Sequence, residues 1–474
     1  MVEKLQLLIN TSMECKMRNI VLAALILLSC QFSWASDSNK SHNTNDKDPV
    51  NITYQFAIYL IPTCGKDPAT TVKQHAQQYL PSFAIKADVS DARKKPLLDI
   101  HIITNVQTEY TPPDEESLHY FGRGIDTDTG KKLQKSKMAI ILSFSYPQDY
   151  VLSGMSEALS FTNKVAETCK GVIWDETTRE AFSPDAWHER RIARWGKDGP
   201  RISDHTVIHA YKNNELIRAI SLGMQKFNLP DIVVNDFTWT NNNQMANLIN
   251  IIGQSMLEGS KINKTHQLNV NIHEMRNESL KKEVLSSLKE NGTARAMIPL
   301  KQTSPEEGDP DNFLLEIDFD PQVGNGLQEK QETFISQFFG SEDKVIYVKH
   351  DEEIRAASEE ARKKLPKLKQ DFNKGLEPGE FIYLKAPFKT PDDSNEWMWI
   401  EVIAWNKRIK GILQNEPYHI PTLRAGAEVY VSEADIFDYL RNFPDGTTEG
   451  NETSKLIQAF EDRQKTNNQT GRSE

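Results

Sequence analysis

The run YQFAIYLI at residues 54–61 is apolar over most of its length, as is typical of a buried β-strand. A helical pattern follows over 68–79, and a second apolar run lies at 98–103. After a long polar excursion come a strand-like run at 139–144, a helix over about 154–168 and a strand at 171–174. This β-α-β-β-α-β order predicts a split ferredoxin-like unit, an antiparallel sheet with helices on one face. Residues 176–260 extend this domain with a hairpin at 205–221 and a helix over 242–258.

The same order recurs further along the chain. Strand-like runs occupy 268–272, 294–300, 313–319 and 344–348, and helical patterns occupy 277–289 and 327–339. Asn277 is a candidate N-cap, and Leu280, Val284 and Leu288 continue as an apolar stripe. We therefore expect a second ferredoxin-like unit.

The C-terminal part has its own pattern. A helix begins at Glu352 and is expected to stop at Pro366. Strands follow at 381–385, 397–405, 409–413 and 428–431, with a short helix at 434–440. The fold class is thus α+β and multi-domain: two ferredoxin-like antiparallel units followed by a small β-rich domain.

The 474 residues are too many for a single core. We expect a signal peptide at 1–35, a disordered linker at 36–50, an N-terminal α+β domain with a ferredoxin-like core at 51–262, a second ferredoxin-like domain at 263–349, a C-terminal domain at 350–460 and a disordered tail at 461–474. The net charge of −11 argues against nucleic acid as a partner, because phosphate binding needs clustered Lys and Arg.

The N-terminus indicates export. Lys16 and Arg18 precede a short apolar run at 20–28, and small residues follow up to Ala35, after which cleavage fits a signal peptide. A second interpretation is a lipoprotein box with Cys30 as the lipidated residue. We expect a periplasmic or secreted protein that contacts a membrane only if Cys30 is lipidated.

Cys64 and Cys169 are the cysteines of the chain after Ala35. Cys64 follows the first predicted strand and Cys169 precedes the fourth, and these strands are antiparallel neighbours in the predicted sheet. Both residues therefore fall at one edge, so a disulfide is expected in an oxidising compartment. The alternative is a pair of buried thiols.

The candidate binding residues are Glu396, Trp397, Trp399, Glu401 and Asp438. Trp397 and Trp399 share one face of a strand, together with Trp405 if the strand is regular. Such a row forms either core or a surface that stacks on peptide or glycan. Glu396 and Glu401 face opposite sides of a regular strand, so they do not form a catalytic pair.

Two further motifs carry alternative interpretations. His205 and His209 have a metal-chelating spacing for a helix, but their surroundings predict a strand, on which they lie about 13 Å apart. The second motif is the run Trp187-His188-Glu189-Arg190-Arg191. Here Arg191 and the nearby Arg194 fit surface ion pairs with Glu189 or Asp185, or else a site for a small anion. No phosphate-binding glycine loop or nucleophile motif occurs, so no cofactor and no metal are expected.

The order of short patches in the C-terminal part resembles a known family. The patches are a helix starting at Glu352, EWMWIEV at 396–402, GILQNEP at 411–417, Asp438 and the turn at Gly450. Together they are similar to the bacterial domain of unknown function 2314 family, the YegJ-like proteins. This family has no assigned active site, so the resemblance implies a compact β-rich domain and assigns no catalytic residue.

These observations favour a non-enzymatic module that binds a protein or peptide partner in the cell envelope. The alternative is an envelope hydrolase acting on peptide or glycan, with Glu401 or Glu396 and Asp438 as acid–base residues. The two hypotheses differ in whether Trp397 and Trp399 are exposed beside a carboxylate or buried in a core.

Overall fold

The computed structural model describes residues 51–61, 64, 67–86, 95–197, 199–213, 216–289, 291–310, 312–340, 352–377, 380–391, 395–417, 419–443, 447–453 and 455–456. The expected signal peptide, Cys30, the linker, the tail and the strand at 344–348 lie outside these residues. The chain forms two compact units. Unit 1 comprises Met1–Trp195, Leu222–Asp231 and Thr303–Leu314, and unit 2 comprises Gly196–Ser221, Ile232–Gln302 and Leu315–Glu474.

Unit 1 is built around a seven-stranded sheet of order β2-β3-β5-β1-β6-β7-β4. Its strands are β1 (Asn51–Leu60), β2 (Ala84–Ile85), β3 (Leu97–Ile103), β4 (Gly122–Arg123), β5 (Ala139–Pro147), β6 (Gly171–Asp175) and β7 (Glu180–Phe182). Its helices are α1 (Pro68–Tyr79), α2 (Val106–Glu109), α3 (Glu115–Phe121), α4 (Thr127–Leu133), α5 (Val151–Cys169) and α6 (Pro184–Trp187). β1 lies between β5 and β6 and is antiparallel to both.

Both faces are covered along β5 and along β1 from Phe56 onward, which explains the apolar runs at 56–60 and 139–142. On one face Phe144 packs against Phe161 of α5, with ring centroids 6.4 Å apart. On the other face Tyr59 and Ile141 share a core with Leu118 of α3. The polar excursion between β3 and β5 therefore folds over the second face, whereas the sequence predicted helices on one face only.

The expected disulfide is present. Cys64 and Cys169 are bonded across 105 residues of chain, and their Cα atoms are 4.5 Å apart. The cause is the pairing of β1 with β6, in which Leu60 lies opposite Gly171. At Gly171 a Cβ would lie only 2.4 Å from the Ile58 side chain, so the approach of these strands requires glycine.

The second sheet has six strands in the order β11-β12-β13-β10-β9-β8. Its strands are β8 (Val207–Asn213), β9 (Leu216–Leu222), β10 (Asp231–Phe237), β11 (Gln267–Asn271), β12 (Arg295–Thr303) and β13 (Leu314–Ile317). The helices of this part of the chain are α7 (Asn242–Leu257), α8 (Glu278–Ser287) and α9 (Leu327–Phe339).

This strand order corrects the prediction of a second ferredoxin-like unit at 263–349. In such a unit the first strand lies between the third and the fourth, but in the described sheet β11 pairs with β12 and not with β13. β13 instead continues the sheet into β10, β9 and β8. Strands from both sides of the domain boundary expected at residue 262 thus belong to one sheet. The second edge of β13 pairs with β10, which comes earlier in the chain.

The third sheet forms the C-terminal part, with the order β17-β16-β15-β14-β18-β19 and antiparallel neighbours throughout. Its elements are helix α10 (Glu352–Lys374) and strands β14 (Phe381–Lys389), β15 (Asn395–Trp405), β16 (Ile409–Leu413), β17 (Glu428–Val431), β18 (Asp438–Asn442) and β19 (Thr448–Gly450).

Two local predictions for this part are wrong. Helix α10 continues through Pro366 to Lys374, because Leu368 and Phe372 beyond the proline are buried against the sheet. The segment predicted as a helix at 434–440 is a 3₁₀ turn at Glu433–Asp435 followed by β18, which pairs with β14. In both places tertiary packing outweighs local preference. Within the described residues, no helix is both long and apolar enough to span a membrane.

Candidate binding face of the C-terminal sheet

The third sheet has one face in the core and one outside it. Met398, Ile400 and Val402 of β15 are buried together with Leu365 of α10. Side chains alternate along a strand, so Trp397, Trp399 and Glu401 project from the opposite face. We call this side, with Trp397, Trp399, Glu401, Tyr383 and Lys385, the outer face.

Cross-strand pairing places the outer-face residues side by side. Lys385 lies opposite Trp399, and Tyr383 lies opposite Glu401. The Lys385 Nζ sits 5.7 Å from the centre of the Trp399 ring, a cation–π distance. Burial lowers the pKa of Lys385, an effect that the nearby Asp438 charge opposes.

Glu401 is the carboxyl group of the outer face with the largest change in acidity. Burial raises its pKa to about 7, because the charged form loses water. Burial, together with the Glu401 charge, also raises the pKa of Tyr383, whose hydroxyl accepts a 3.3 Å hydrogen bond from Asn243 Nδ2. A carboxyl group that is half protonated near neutral pH can donate as well as accept a hydrogen bond.

The two tryptophans are partly buried and lie outside the core cluster. The Trp397 ring packs on Phe437 at 4.5 Å, and the Trp399 backbone N–H donates to Asn415 Oδ1 at 2.7 Å. Both tryptophans are thus partly exposed, on the same side of β15 as Glu401.

Trp405 does not join them. The register of β15 and β16 shifts between Val402 and Ala404, which is a β-bulge. The extra residue turns Trp405 to the inner face, where it is 2% exposed and its ring lies 6.3 Å from that of Phe372. The expectation that Trp405 extends the row held only for a regular strand, and the bulge removes that condition.

The remaining predicted carboxylates do not complete a catalytic pair. Glu396 lies opposite Phe388, which packs against the inner core. The Glu396 Oε2 accepts a hydrogen bond from the His419 backbone N–H at 3.0 Å. Asp438 is fully buried, and its Oδ2 accepts the backbone N–H and hydroxyl of Thr453 at 2.9 and 2.6 Å. Asp438 therefore anchors the C-terminal turn.

A charged network in unit 1 was missed by sequence reasoning. Arg191 lies in a π-helical turn at His188–Ala193 and is 2% exposed. Its guanidinium contacts Glu180 at 2.9 Å and Asp175 at 3.3 Å. Surface ion pairing with Glu189 or Asp185 was therefore the wrong expectation, because the widened turn directs Arg191 into the interior.

Lys226 completes this network. Its Nζ donates to Asp175 Oδ2 at 2.6 Å, and both side chains are fully buried. Burial lowers the pKa of Lys226 to about 8, against the attraction of Asp175. Burial alone would raise the pKa of Asp175, but the Lys226 and Arg191 charges hold it below its usual range. The mutual contacts of these groups indicate a structural role.

No group of three or more His, Cys, Asp or Glu side chains within the described ranges is placed to hold a metal ion. His205 precedes β8 and His209 lies within it.

Comparison with known proteins defines the C-terminal part further. Within the described residues, this part consists of helix α10 and six antiparallel strands, a β-rich α+β arrangement. Residues 351–471 match the model of a bacterial family, DUF2314, described as an uncharacterized protein conserved in bacteria. The resemblance inferred from the sequence is thus confirmed for this region. Comparison with curated proteins and with solved structures gives no match.

Proposed function

We propose that this chain is an exported bacterial cell-envelope protein that binds a protein or peptide partner without catalysis, through the outer face of its C-terminal sheet. One observation carries the proposal: Trp397 and Trp399 stand together outside the core, beside Lys385 and Glu401. Large aromatic side chains with polar neighbours are typical of recognition surfaces. A structural pair of tryptophans would be expected on the inner face, where Trp405 lies.

Export is supported by the signal-like residues 16–35 and by the Cys64–Cys169 disulfide. Disulfides persist in oxidising compartments such as the periplasm. Lipidation at Cys30 would tether the same chain to a membrane.

The rest of the chain is proposed to be a scaffold. The order β6-β1-β5-β3 with antiparallel pairing supports a ferredoxin-like core in unit 1. The family match beginning at residue 351 supports a separate C-terminal domain at 350–460.

The test is affinity capture from a periplasmic extract with the mature chain from Ser36 as bait, followed by mass spectrometry. We expect one dominant protein partner for the wild type. The double variant Trp397→Ala/Trp399→Ala should lose it, whereas Tyr79→Ala, which removes an exposed aromatic ring from unit 1, should keep it. Full retention of the partner by the double variant would contradict the proposed face.

A second candidate, an envelope hydrolase acting on peptide or glycan, is favoured by Glu401 alone. A pKa of about 7 suits a general acid, and aromatic rings beside it could stack on a sugar. The arrangement lacks the second carboxylate, because Asp438 binds Thr453 and Glu396 lies on the inner face. Turnover of cell-wall fragments that disappears in Glu401→Gln would establish this function in place of the first.

A further inference from the structure

A cationic groove lies at one end of the third sheet. It is lined by Ala404, Asn406, Lys407, Arg408, Lys410 and Tyr430, and its volume is about 640 Å³. The lining comes from the end of β15, the hairpin that follows it, β16 and the edge strand β17. Lys410 is paired with both Ala404 and Tyr430, so the three strands present one continuous surface here.

The groove concentrates positive charge in an otherwise acidic chain. Lys407, Arg408 and Lys410 line it, and Lys410 contacts Glu428 at 2.9 Å. The six lining residues include three cations and no carboxylate, although the whole chain carries −11. This local positive charge attracts anionic groups and repels a basic partner.

Arg408 and Tyr430 are held in a defined arrangement. The Arg408 guanidinium lies 5.7 Å from the centre of the Tyr430 ring and donates to the Tyr430 carbonyl oxygen at 2.9 Å. Positioning a guanidinium in advance lowers the cost of binding a carboxylate with its remaining N–H groups. Tyr430 itself is 54% exposed and offers an amphipathic ring for a peptide to pack on.

We propose that this groove binds an acidic peptide segment of the partner. The inference rests on the proposed function, since it assigns a chemistry to part of the partner that the C-terminal domain holds. Charge complementarity selects carboxylates, and the single exposed aromatic ring beside three cations fits a short extended chain.

The test is fluorescence polarisation with a labelled octa-glutamate peptide, using the mature chain. Lys407→Glu/Arg408→Glu should weaken binding by at least about fivefold, since each exposed charge contact contributes modestly and reversal adds repulsion. The matched control is Arg362→Glu/Lys367→Glu, which reverses one Arg and one Lys on the exposed side of α10 and should leave binding unchanged. Wild-type binding should also weaken as salt rises from about 0.05 M to about 0.5 M.

Two further variants separate the groove from misfolding. Lys407→Glu alone changes an exposed side chain, and Tyr430→Ala removes the half-exposed ring. Both should fold as the wild type and bind the peptide more weakly. Equal affinity of the wild type for octa-glutamine, or equal loss in the α10 control, would overturn the inference. The inference would also be overturned, in favour of a lipid surface, if the chain bound phosphatidylglycerol vesicles more tightly than the peptide and Lys407→Glu/Arg408→Glu weakened that binding.

The outcome is distinguishable from failure of the proposed function. If Trp397→Ala/Trp399→Ala abolishes partner capture while octa-glutamate fails to bind the wild type, only the groove inference falls. If octa-glutamate binding depends on Lys407 and Arg408 but no partner depends on the tryptophans, the groove stands and the outer-face proposal falls.

Discussion

The Lys226 ammonium group donates a 2.6 Å hydrogen bond to the Asp175 carboxylate, and neither side chain is exposed to solvent. Lys226 belongs to the segment Leu222–Asp231, which is separated by more than 40 residues of sequence from Asp175 but is part of the same unit. The interior of unit 1 therefore depends on a charge supplied by a distant part of the chain.

Lys226→Met should lower the free energy of unfolding by about 3–5 kcal/mol, because it leaves buried carboxylate charge short of a cation. Lys164→Met is the matched control, since Lys164 pairs with Glu167 at 3.3 Å on an exposed helix surface and should cost less than about 1 kcal/mol. Urea unfolding followed by tryptophan fluorescence measures both. Equal small losses in the two variants would show that Asp175 does not need Lys226.

Removal of the disulfide should destabilise unit 1. The Cys64–Cys169 bond closes a span of 105 residues, and a loop of that size is expected to contribute about 4 kcal/mol. Cys64→Ser/Cys169→Ser should therefore unfold at lower urea concentration than the oxidised wild type. Adding dithiothreitol should shift the wild type to the position of the variant and leave the variant unchanged. A wild type insensitive to dithiothreitol would speak against the bond.

Replacement of Trp405 should destabilise the protein more than replacement of Trp399. Trp405→Ala should cost about 3–5 kcal/mol, because it opens a cavity in the inner core, where the side chain is 2% exposed. Trp399→Ala, on the outer face, should cost clearly less. Thermal unfolding of the full chain measures both, and a larger loss for Trp399→Ala would contradict the burial of Trp405 in the inner core.

Glu401 should make stability depend on pH. Its pKa is about 7 in the folded protein against an ordinary value of 4.5, so the folded state holds the proton more tightly. The resulting stabilisation is complete below pH 4.5 and is lost as the pH rises through 7. Relative to Glu401→Gln, the wild type should lose up to about 3 kcal/mol across this window.

The measurement is the urea midpoint of wild type and Glu401→Gln from pH 4.5 to 8. Glu353→Gln, which alters an exposed carboxylate on α10, serves as the control and should follow the wild type at every pH. Parallel curves for the wild type and Glu401→Gln would mean that folding does not change the pKa of Glu401.

Local patterns in the sequence located most elements but could not order the strands of the second sheet. The apolar run at 54–61 and the pattern at 68–79 correspond to β1 and α1, because burial on both faces leaves a plain compositional signal. The pairing of β13 with β10 joins segments far apart in sequence. The residues of one strand do not indicate which other strand it pairs with.

The candidate site shows the same division. Alternation along β15 correctly placed Glu396 and Glu401 on opposite faces and Trp397 beside Trp399, since period-2 geometry needs only local information. The bulge that turns Trp405 inward arises from the pairing with β16. The burial of the Arg191 side chain likewise depends on a π-helical turn, which the residue types alone do not predict.

The segmented composition of unit 1 has a consequence for biosynthesis. A chain that is synthesised from its N-terminus cannot complete this unit until residues Leu222–Asp231 and Thr303–Leu314 have appeared. Until the first of these segments has been made, Asp175 and Arg191 lack the ion pair that Lys226 forms with Asp175. A fragment that ends at Trp195 lacks both later segments of unit 1 and should therefore be prone to aggregation and proteolysis.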